Sequence, residues 1–264
     1  MRNAVRNGVI VKEEDAVLPV TLREVQYSFS IYEALRVKNG KAVHLDDHLK
    51  RLKESADAIS LVHPFTDEEI SSSLEMLLKH DKVMECTVRI FVLGGSQAQY
   101  FITYTDLLTY PDSYYEDGIG VTLYNGERFL PQAKTSNLLM QYIALEEAKK
   151  RGAFEALLVN RKSEILEGTR SNFYAISGSY LYTAPDELVL SGITRISVLK
   201  AAAKLGLTIK YLPPTLSNVY MLDSLFISST SMGAMPVHSV NSIEVKRDAW
   251  PLIASIHKLV REWE

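Results

Sequence analysis

The sequence holds a single cysteine, Cys86, among its 264 residues. One cysteine excludes an internal disulfide and a cysteine-rich metal cluster, and this scarcity is typical of proteins in a reducing compartment. An excess of charge is missing too, because 29 basic and 32 acidic residues give a formal net charge of -3. That balance provides no general field for nucleic acid or an anionic membrane, so any anion site must be local.

Long apolar runs and several familiar motifs are absent as well. No stretch approaches the ~20 residues that cross a bilayer, and residues 1–15 lack the apolar core of a signal peptide. There is no P-loop, no G-x-G-x-x-G, no H-E-x-x-H and no G-x-S-x-G, and the six histidines show no metal-ligand spacing. His48 is interpreted as a partly buried structural histidine. We therefore expect a cytoplasmic protein with no metal, no membrane span and no nucleic-acid partner.

What is present is the composition of a globular protein, 47% apolar and 23% charged, in a chain that suits two domains. Residues 42–61 place apolar side chains on one helical face, and Thr66 with Glu69 predicts a capping box at the start of a second helix. From Cys86 to Leu93 the side chains alternate, which predicts a strand, and residues 100–104 are predicted to return beside it. The first domain is thus predicted to be α+β.

The second half mixes short strand-like runs with helical ones, which predicts an α/β arrangement. Residues 109–119 have turn chemistry and no sustained period. We therefore predict a small N-terminal domain over 1–108, a connection over 109–119 and a larger C-terminal domain over 120–264. The predicted strands are 121–124, 156–159, 164–167, 173–176, 180–183 and 225–228, and the predicted helices are about 136–151, 194–205 and 250–263.

Two segments of the second half place polar residues at element boundaries. In Ser191-Gly192-Ile193-Thr194-Arg195 a glycine turn precedes a helix start, whose N–H groups suit a phosphate, although an ordinary capped helix gives the same pattern. In Leu166-Glu167-Gly168-Thr169-Arg170-Ser171-Asn172 a strand ends in a carboxylate and a polar turn, which a surface hairpin also explains. Neither segment identifies a function by itself.

Taken in order with other strings along the chain, these segments resemble the fold type IV pyridoxal-phosphate enzymes. This class holds branched-chain aminotransferases, D-amino-acid aminotransferases and aminodeoxychorismate lyases. The resemblance implies a two-domain fold whose larger C-terminal α/β domain is β-barrel-like. The strings are Ile31-Tyr32-Glu33-Ala34-Leu35-Arg36, Asp47-His48-Leu49-Lys50-Arg51-Leu52, Ala133-Lys134-Thr135-Ser136-Asn137, Glu167-Gly168-Thr169-Arg170-Ser171-Asn172, Gly192-Ile193-Thr194-Arg195, Ser228-Ser229-Thr230-Ser231 and Pro236-Val237.

The resemblance also implies a cofactor, pyridoxal 5′-phosphate, and a role for each matching residue. Lys134, at the start of a helix, would carry the cofactor covalently and move the proton at the α-carbon of the amino acid. Glu167 would face the pyridine nitrogen and stabilise its protonated form. A guanidinium, helix N–H groups and a hydroxyl would hold the phosphate. These implied phosphate ligands are Arg51, Ile193, Thr194 and Thr230.

Substrate recognition is implied for a second set of residues. A guanidinium matches a carboxylate through two hydrogen bonds, so Tyr32, Arg36 and Arg89 are candidates for binding the substrate carboxylate. Ser231 is assigned to the substrate as well. Because residues of the first domain can serve a neighbouring subunit's site in this class, we expect a homodimer.

The chain departs from the family pattern at three places. Tyr27-Ser28-Phe29-Ser30 replaces the glycines that usually precede the first motif, so the shape of the substrate pocket is left open. Asn137-Leu138-Leu139 lacks the tyrosine of branched-chain enzymes and resembles the D-amino-acid enzymes. Arg170 stands where a small residue is more common.

The predicted reaction is transfer of an amino group between an amino acid and a 2-oxo acid such as 2-oxoglutarate. Arg36, Arg89 and the lack of an arginine directly before Gly94 favour a branched-chain or other aliphatic L-amino acid. Tyr32 and Asn137-Leu138-Leu139 favour the D-amino-acid type. An aminodeoxychorismate lyase and a non-enzymatic relative are the further alternatives, and retention of Lys134 and Glu167 speaks against the last.

Overall fold

In a computed structural model, residues 2–264 are described and the chain divides into two compact units. The first contains the residues up to Leu108 together with Ala133–Asn137, and the second contains Thr109–Gln132 and Leu138–Glu264. Residues 109–119, predicted as a connection, lie in the second unit. They hold a short helix and the start of a strand.

The described helices are all short, the longest having 15 residues. Among residues 2–264, no helix combines the length and apolar character that crossing a membrane requires. The capping box predicted at Thr66 is confirmed, because the Thr66 side chain accepts from Glu69 N–H and the Glu69 side chain accepts from Thr66 N–H. The α-helices are α1 (Arg23–Gln26), α2 (Leu45–Ala58), α3 (Asp67–Asp81), α4 (Ser113–Glu116), α5 (Leu139–Lys150), α6 (Ile193–Lys204) and α7 (Trp250–Glu262).

The strands form one sheet in each unit. The first unit contains β1 (Asn3–Arg6), β2 (Val9–Lys12), β3 (Ser30–Lys38), β4 (Lys41–Ala42), β5 (Cys86–Leu93) and β6 (Gln99–Thr105). The second contains β7 (Ile119–Asn125), β8 (Glu155–Val159), β9 (Ile165–Gly168), β10 (Asn172–Ser177), β11 (Tyr180–Thr183), β12 (Thr208–Tyr211), β13 (Ser224–Ser229), β14 (Gly233–Val240) and β15 (Ile243–Glu244).

The first unit is an antiparallel sheet in the order β2-β1-β6-β5-β3-β4. Its core joins alternate residues of β3 and β5, such as Leu35 and Ile90, to the apolar stripes of α2 and α3, such as Leu52 and Leu74. This packing follows from the two periods in the sequence, two along the strands and 3.6 along the helices. The α+β prediction for this part of the chain is confirmed.

The second unit contains a closed ring of six strands. The order runs β10-β13-β14-β7-β8-β9, and β9 pairs back with β10. The strands β11 and β12 extend the sheet from β10, and β15 pairs with β14. Helices α5 and α6 connect parallel strands, β7 to β8 and β11 to β12. The β-barrel-like α/β prediction is therefore confirmed.

One predicted helix boundary is wrong, and it concerns Lys134. The helix predicted from about residue 136 begins at Leu139, so Lys134 does not lie at a helix start. Instead, Thr135 forms an antiparallel bridge with Ile31 of β3. That long-range pairing is not visible in the local sequence, which explains the error.

Candidate active site

The predicted site residues fall into two groups, one in each unit, and each group is described by itself. The first unit contains Tyr32, Arg36, Arg51, Arg89 and Lys134. The second contains Glu167, Ile193, Thr194, Thr230 and Ser231. Within the described residues, no group of three or more histidine, cysteine, aspartate or glutamate side chains is placed to hold a metal ion.

Glu33 is a fully buried carboxylate in the middle of β3. Its neighbours at alternate positions, Ile31 and Leu35, belong to the core, so the strand period turns Glu33 to the same side. Arg51 donates twice to this carboxylate, from Nε to Oε1 at 2.8 Å and from Nη2 to Oε2 at 2.6 Å. Nδ1 of His48 lies 2.7 Å from Oε2. Arg51 and His48 are three residues apart on α2, which places both on one helix face.

The protonation states of this cluster follow from burial and from its hydrogen bonds. Burial raises the pKa of Glu33, but the hydrogen bonds from Arg51 and His48 and the charges of Arg51 and Lys134 outweigh it and lower the pKa to about 2. Burial lowers the pKa of His48 despite the nearby carboxylate. At neutral pH, Glu33 is charged and His48 is neutral. Glu33 therefore holds the guanidinium of Arg51 in a fixed, bidentate geometry.

Residues 133–137 are fixed to the first unit through their backbone. The Tyr32 N–H donates to the carbonyl of Lys134 at 3.0 Å. Oγ of Ser55 accepts from the Lys134 N–H at 3.0 Å and donates to the carbonyl of Arg51 at 2.8 Å. One buried hydroxyl thus connects the two residues predicted to bind the aldehyde end and the phosphate of the cofactor.

Two cations lie over the ring of Tyr32. Nζ of Lys134 is 4.6 Å from the ring centroid, and the guanidinium carbon of Arg89 is 4.2 Å from it. Both distances lie within the range of cation–π attraction. The structure thus brings together three of the predicted residues, Tyr32, Arg89 and Lys134, that are far apart in the sequence.

The sheet face that carries Tyr32 is aromatic and basic. Tyr32 pairs with Phe91, and Phe91 pairs with Phe101, so three aromatic residues form a row across three strands. Arg36 lies four residues beyond Tyr32 on β3, and Arg89 lies two residues before Phe91 on β5, which places both arginines on this face. The surface therefore combines apolar rings with two guanidinium groups.

In the second unit, Glu167 lies on β9, the strand that closes the ring, and is only 4% exposed. It pairs with Leu158 on one side and with Asn172 on the other. Its Oε2 accepts a hydrogen bond from the N–H of Leu190 at 3.2 Å, and its Oε1 lies 3.9 Å from Nε of Arg128. Such donors offset the cost of burying a carboxylate.

The helix predicted after Ser191 begins at Ile193, with Gly192 as its N-cap. The first N–H groups of an α-helix have no acceptor within the helix, so this start has the geometry that the predicted phosphate site requires. Ile193 and Thr194 are both buried. The two N–H groups predicted to bind the phosphate, those of Ile193 and Thr194, thus come from one helix turn.

Asn172 ties this helix start to Glu167. Its Nδ2 donates to the carbonyl of Leu190 at 2.8 Å, while the N–H of Leu190 donates to Glu167. A Cβ on Gly192 would overlap Oδ1 of Asn172, so only glycine lets the segment pass this close to β10. Glu167 and Asn172 thereby both bind the backbone of Leu190, three residues before the first residue of α6.

Thr230 and Ser231 lie in the three-residue loop between β13 and β14, because Ser229 pairs with Gly233. The strand β13 neighbours β10, where Ser228 pairs with Asn172. The loop therefore follows a strand that is two places from β9 in the ring. Oγ of Ser231 lies 3.3 Å from the hydroxyl of Tyr110.

Arg170 lies beside a third buried carboxylate, that of Glu155. Glu155 is fully buried and accepts hydrogen bonds from the Thr169 backbone and hydroxyl and from the Ser171 hydroxyl. Nε of Arg170 is 3.6 Å from this carboxylate, and its guanidinium lies 5.0 Å from the ring centroid of Phe154. Arg170 thus neutralises the charge that organises the turn after Glu167.

Sequence reasoning missed several residues of these networks. Glu33 lies within the string Ile31-Tyr32-Glu33-Ala34-Leu35-Arg36 but received no role. The signal that could have found it is a carboxylate at a core position of β3. His48 was predicted to be structural, and its bond to Glu33 places it next to Arg51. Ser55 and Arg128 had no signal at all, because neither stands in a recognisable string.

Residues 30–240 match the family model described as amino-transferase class IV. The chain belongs to this family. It is 30% identical to the D-alanine aminotransferase of Listeria monocytogenes, over 96% of this chain and 92% of that protein. It is also 29% identical to a probable branched-chain-amino-acid aminotransferase of Rickettsia bellii, over 90% of this chain and 86% of that protein. The chain is therefore an aminotransferase, which is the activity that the ordered motifs predicted.

The fold is shared with solved structures of this kind. The branched-chain aminotransferase of the archaeon Thermoproteus uzoniensis, solved with norvaline, superposes with a TM-score of 0.90 at 24% identity, covering 99% of this chain and 94% of that one. At this identity the likeness shows the fold. The predicted two-domain fold type IV architecture is confirmed.

Proposed function

We propose that this aminotransferase uses pyridoxal 5′-phosphate to move an amino group between an aliphatic amino acid and a 2-oxo acid such as 2-oxoglutarate. The chemistry of the donor set supports the cofactor. An aldehyde is matched by the amine of Lys134, a pyridine nitrogen by the buried carboxylate of Glu167, and a phosphate dianion by Arg51, the start of α6 and the Thr230 hydroxyl. The observation that carries the proposal is Lys134, fixed by its backbone to β3 and Ser55.

In the proposed mechanism, the cofactor would supply an electron sink when bound. Lys134 would hold the cofactor, and its amine would move the proton at the α-carbon of the substrate. Glu167 holds the proton on the pyridine nitrogen. Arg51, oriented by Glu33, would bind the phosphate, and so would the N–H groups of Ile193 and Thr194.

The aromatic and basic face of the first unit supports an aliphatic substrate. A row of rings provides an apolar surface for the side chain, and Arg36 and Arg89 provide guanidinium groups for a carboxylate. We assign Tyr32 and Ser231 to substrate binding because the family resemblance implies that role for both. The residue directly before Gly94 is Leu93, buried and apolar, which favours the branched-chain or aliphatic L-amino-acid type.

A panel of enantiomers tests this choice of substrate. With 2-oxoglutarate as acceptor, L-leucine is expected to exceed D-leucine in kcat/KM by on the order of 100-fold or more, because a fixed carboxylate site and side-chain face select one hand. The same pair of assays with alanine and glutamate completes the panel. Exclusive turnover of a D-amino acid would overturn the L-preference and leave the transaminase function intact.

The second candidate is a D-amino-acid aminotransferase. It is supported by Asn137-Leu138-Leu139 after Lys134 and by the 30% identity to the Listeria D-alanine enzyme over 96% of this chain. An aminodeoxychorismate lyase is the third candidate. Release of pyruvate from that substrate without any amino acceptor would distinguish it from both transaminases.

We further propose that the protein is a cytoplasmic homodimer. The second unit exposes large apolar side chains in the segment before α5 and in its first turn, with Phe129 83%, Leu139 69% and Tyr142 66% exposed. A second copy of the chain would remove this surface from water, which is the main source of association free energy. Sedimentation at micromolar concentration is expected to give twice the chain mass of 29.7 kDa, and a single-chain mass would contradict the dimer.

A further inference from the structure

The hairpin loop that carries Thr230 and Ser231 is bound by Arg261, a residue of α7. Nη1 of Arg261 donates to the Thr230 carbonyl at 3.2 Å, and Nη2 donates to the Ser231 carbonyl at 2.8 Å. The hydroxyl of Tyr115 donates to the next carbonyl, that of Met232, at 2.9 Å. Three successive carbonyls of the loop are thus bound by side chains from outside the hairpin.

These contacts orient the backbone of the loop. In a trans peptide the carbonyl and the following N–H point in opposite directions. Arg261 holds the carbonyls of Thr230 and Ser231, so the N–H groups of Ser231 and Met232 are turned away from it. The N–H of Met232 returns to the Ser229 carbonyl at 3.2 Å, which leaves the N–H of Ser231 as the donor that the loop directs away from α7.

Helix α7 packs closely against the loop. Gly233, at φ +68, ends the loop, and a Cβ there would lie 2.8 Å from the ring of His257 and 3.0 Å from Nε of Arg261. Nδ1 of His257 lies 2.9 Å from the carbonyl of Ala234. Arg261 is itself fixed, because its Nη1 lies 2.5 Å from Oε1 of Glu264. Side chains of α7 therefore set the geometry at Thr230, Ser231 and Gly233, and Tyr115 of α4 holds the Met232 carbonyl.

We propose that Arg261 is a positioning residue for the cofactor phosphate. By holding two carbonyls of the loop, it presents the Thr230 hydroxyl and the Ser231 N–H together, and its charge polarises both peptide groups toward stronger donation. Arg261 does not itself bind the phosphate in this proposal. The inference rests on the proposed pyridoxal-phosphate function, in which Thr230 is a phosphate ligand.

The test compares two ligands that differ only in the phosphate group. In Arg261→Ala, the dissociation constant for pyridoxal 5′-phosphate, measured by absorbance titration of cofactor-free protein, is expected to rise about tenfold, which corresponds to about 1.4 kcal/mol. The constant for pyridoxal, which lacks the phosphate, is expected to stay within about twofold. In Arg261→Lys, which keeps a donor in place, the dissociation constant for pyridoxal 5′-phosphate is expected to lie between those of the wild type and Arg261→Ala.

Controls separate this effect from charge and from folding. Lys258→Ala removes a positive charge from the exposed side of α7, and both constants are expected to stay unchanged. Equal weakening of both ligands, or of neither, in the Arg261→Ala and Arg261→Lys variants overturns the positioning role. Wild-type protein that fails to bind pyridoxal 5′-phosphate overturns the proposed function instead, so the two failures are distinguishable.

Discussion

Replacing Lys134 with alanine is expected to lower transamination by at least about 10³-fold, because the variant loses covalent binding of the cofactor and the base that moves the α-proton. The measurement is the initial rate with leucine and 2-oxoglutarate, together with the cofactor absorption band of the purified protein. Loss of the covalent link is expected to shift that band even before substrate is added.

The structure makes this variant a clean test. Two hydrogen bonds of residue 134 use its backbone N–H and carbonyl, with Ser55 and Tyr32 as partners, and alanine keeps both. Its thermal unfolding is expected to change little. Lys150→Ala, at an exposed lysine near the end of α5, serves as the matched control and should retain full activity. Full activity in Lys134→Ala would remove this residue from the reaction.

Replacing Glu33 with glutamine is expected to destabilise the protein by about 3 kcal/mol, because it leaves the buried guanidinium of Arg51 without its counter-charge. The measurement is the free energy of unfolding of cofactor-free protein in urea at neutral pH. Adding Arg51→Met is expected to restore part of the loss, since an apolar side chain removes the buried charge that Glu33 neutralises in the wild type. Equal stability of wild type and Glu33→Gln would contradict a structural ion pair.

The ion pair of Glu33 and Arg51 also predicts how stability depends on pH. The pKa of Glu33 is about 2 in the folded protein and ~4.3 in an unfolded chain, so its contribution is present above pH ~4.5 and is lost as the pH falls toward 2. The pKa of His48 is also lowered, and protonation of that buried ring disfavours the fold in acid as well. Wild type should therefore lose more stability than Glu33→Gln between pH 5 and 2. Glu54→Gln, on the exposed side of α2, is the control.

Local signals predicted the elements that depend on local contacts. The capping box of Thr66 and Glu69 set the start of α3, and strict alternation set β5. The strand β3 was not predicted, because one of its core-facing positions holds Glu33 and breaks the alternation. The strand β14 was missed because it is buried almost throughout and contains Pro236, which leaves no period of two to read.

In the candidate site, too, the sequence predicted the residues with local motifs but not their distant partners. The ordered motifs predicted Lys134, Glu167 and the start of α6, and the family match supports the transaminase function to which they belong. The partners that hold these groups, such as Arg128 beside Glu167, come from distant positions and carry no local pattern. Which residues meet is set by strand register and helix packing, and neither can be derived from a single sequence.

The pairing of residues 133–137 with β3 also has a consequence for biosynthesis. The carbonyl of Ser30 accepts from the N–H of Ser136, and the N–H of Tyr32 donates to Lys134, so the start of β3 lacks these partners until residue 136 has left the ribosome. At ~5–20 residues per second, this delay lasts a few seconds after Leu108 has left the ribosome. A nascent chain arrested when residue 108 but not residue 136 has left the ribosome should therefore expose the start of β3 to proteases, and one arrested after residue 137 has left should protect it.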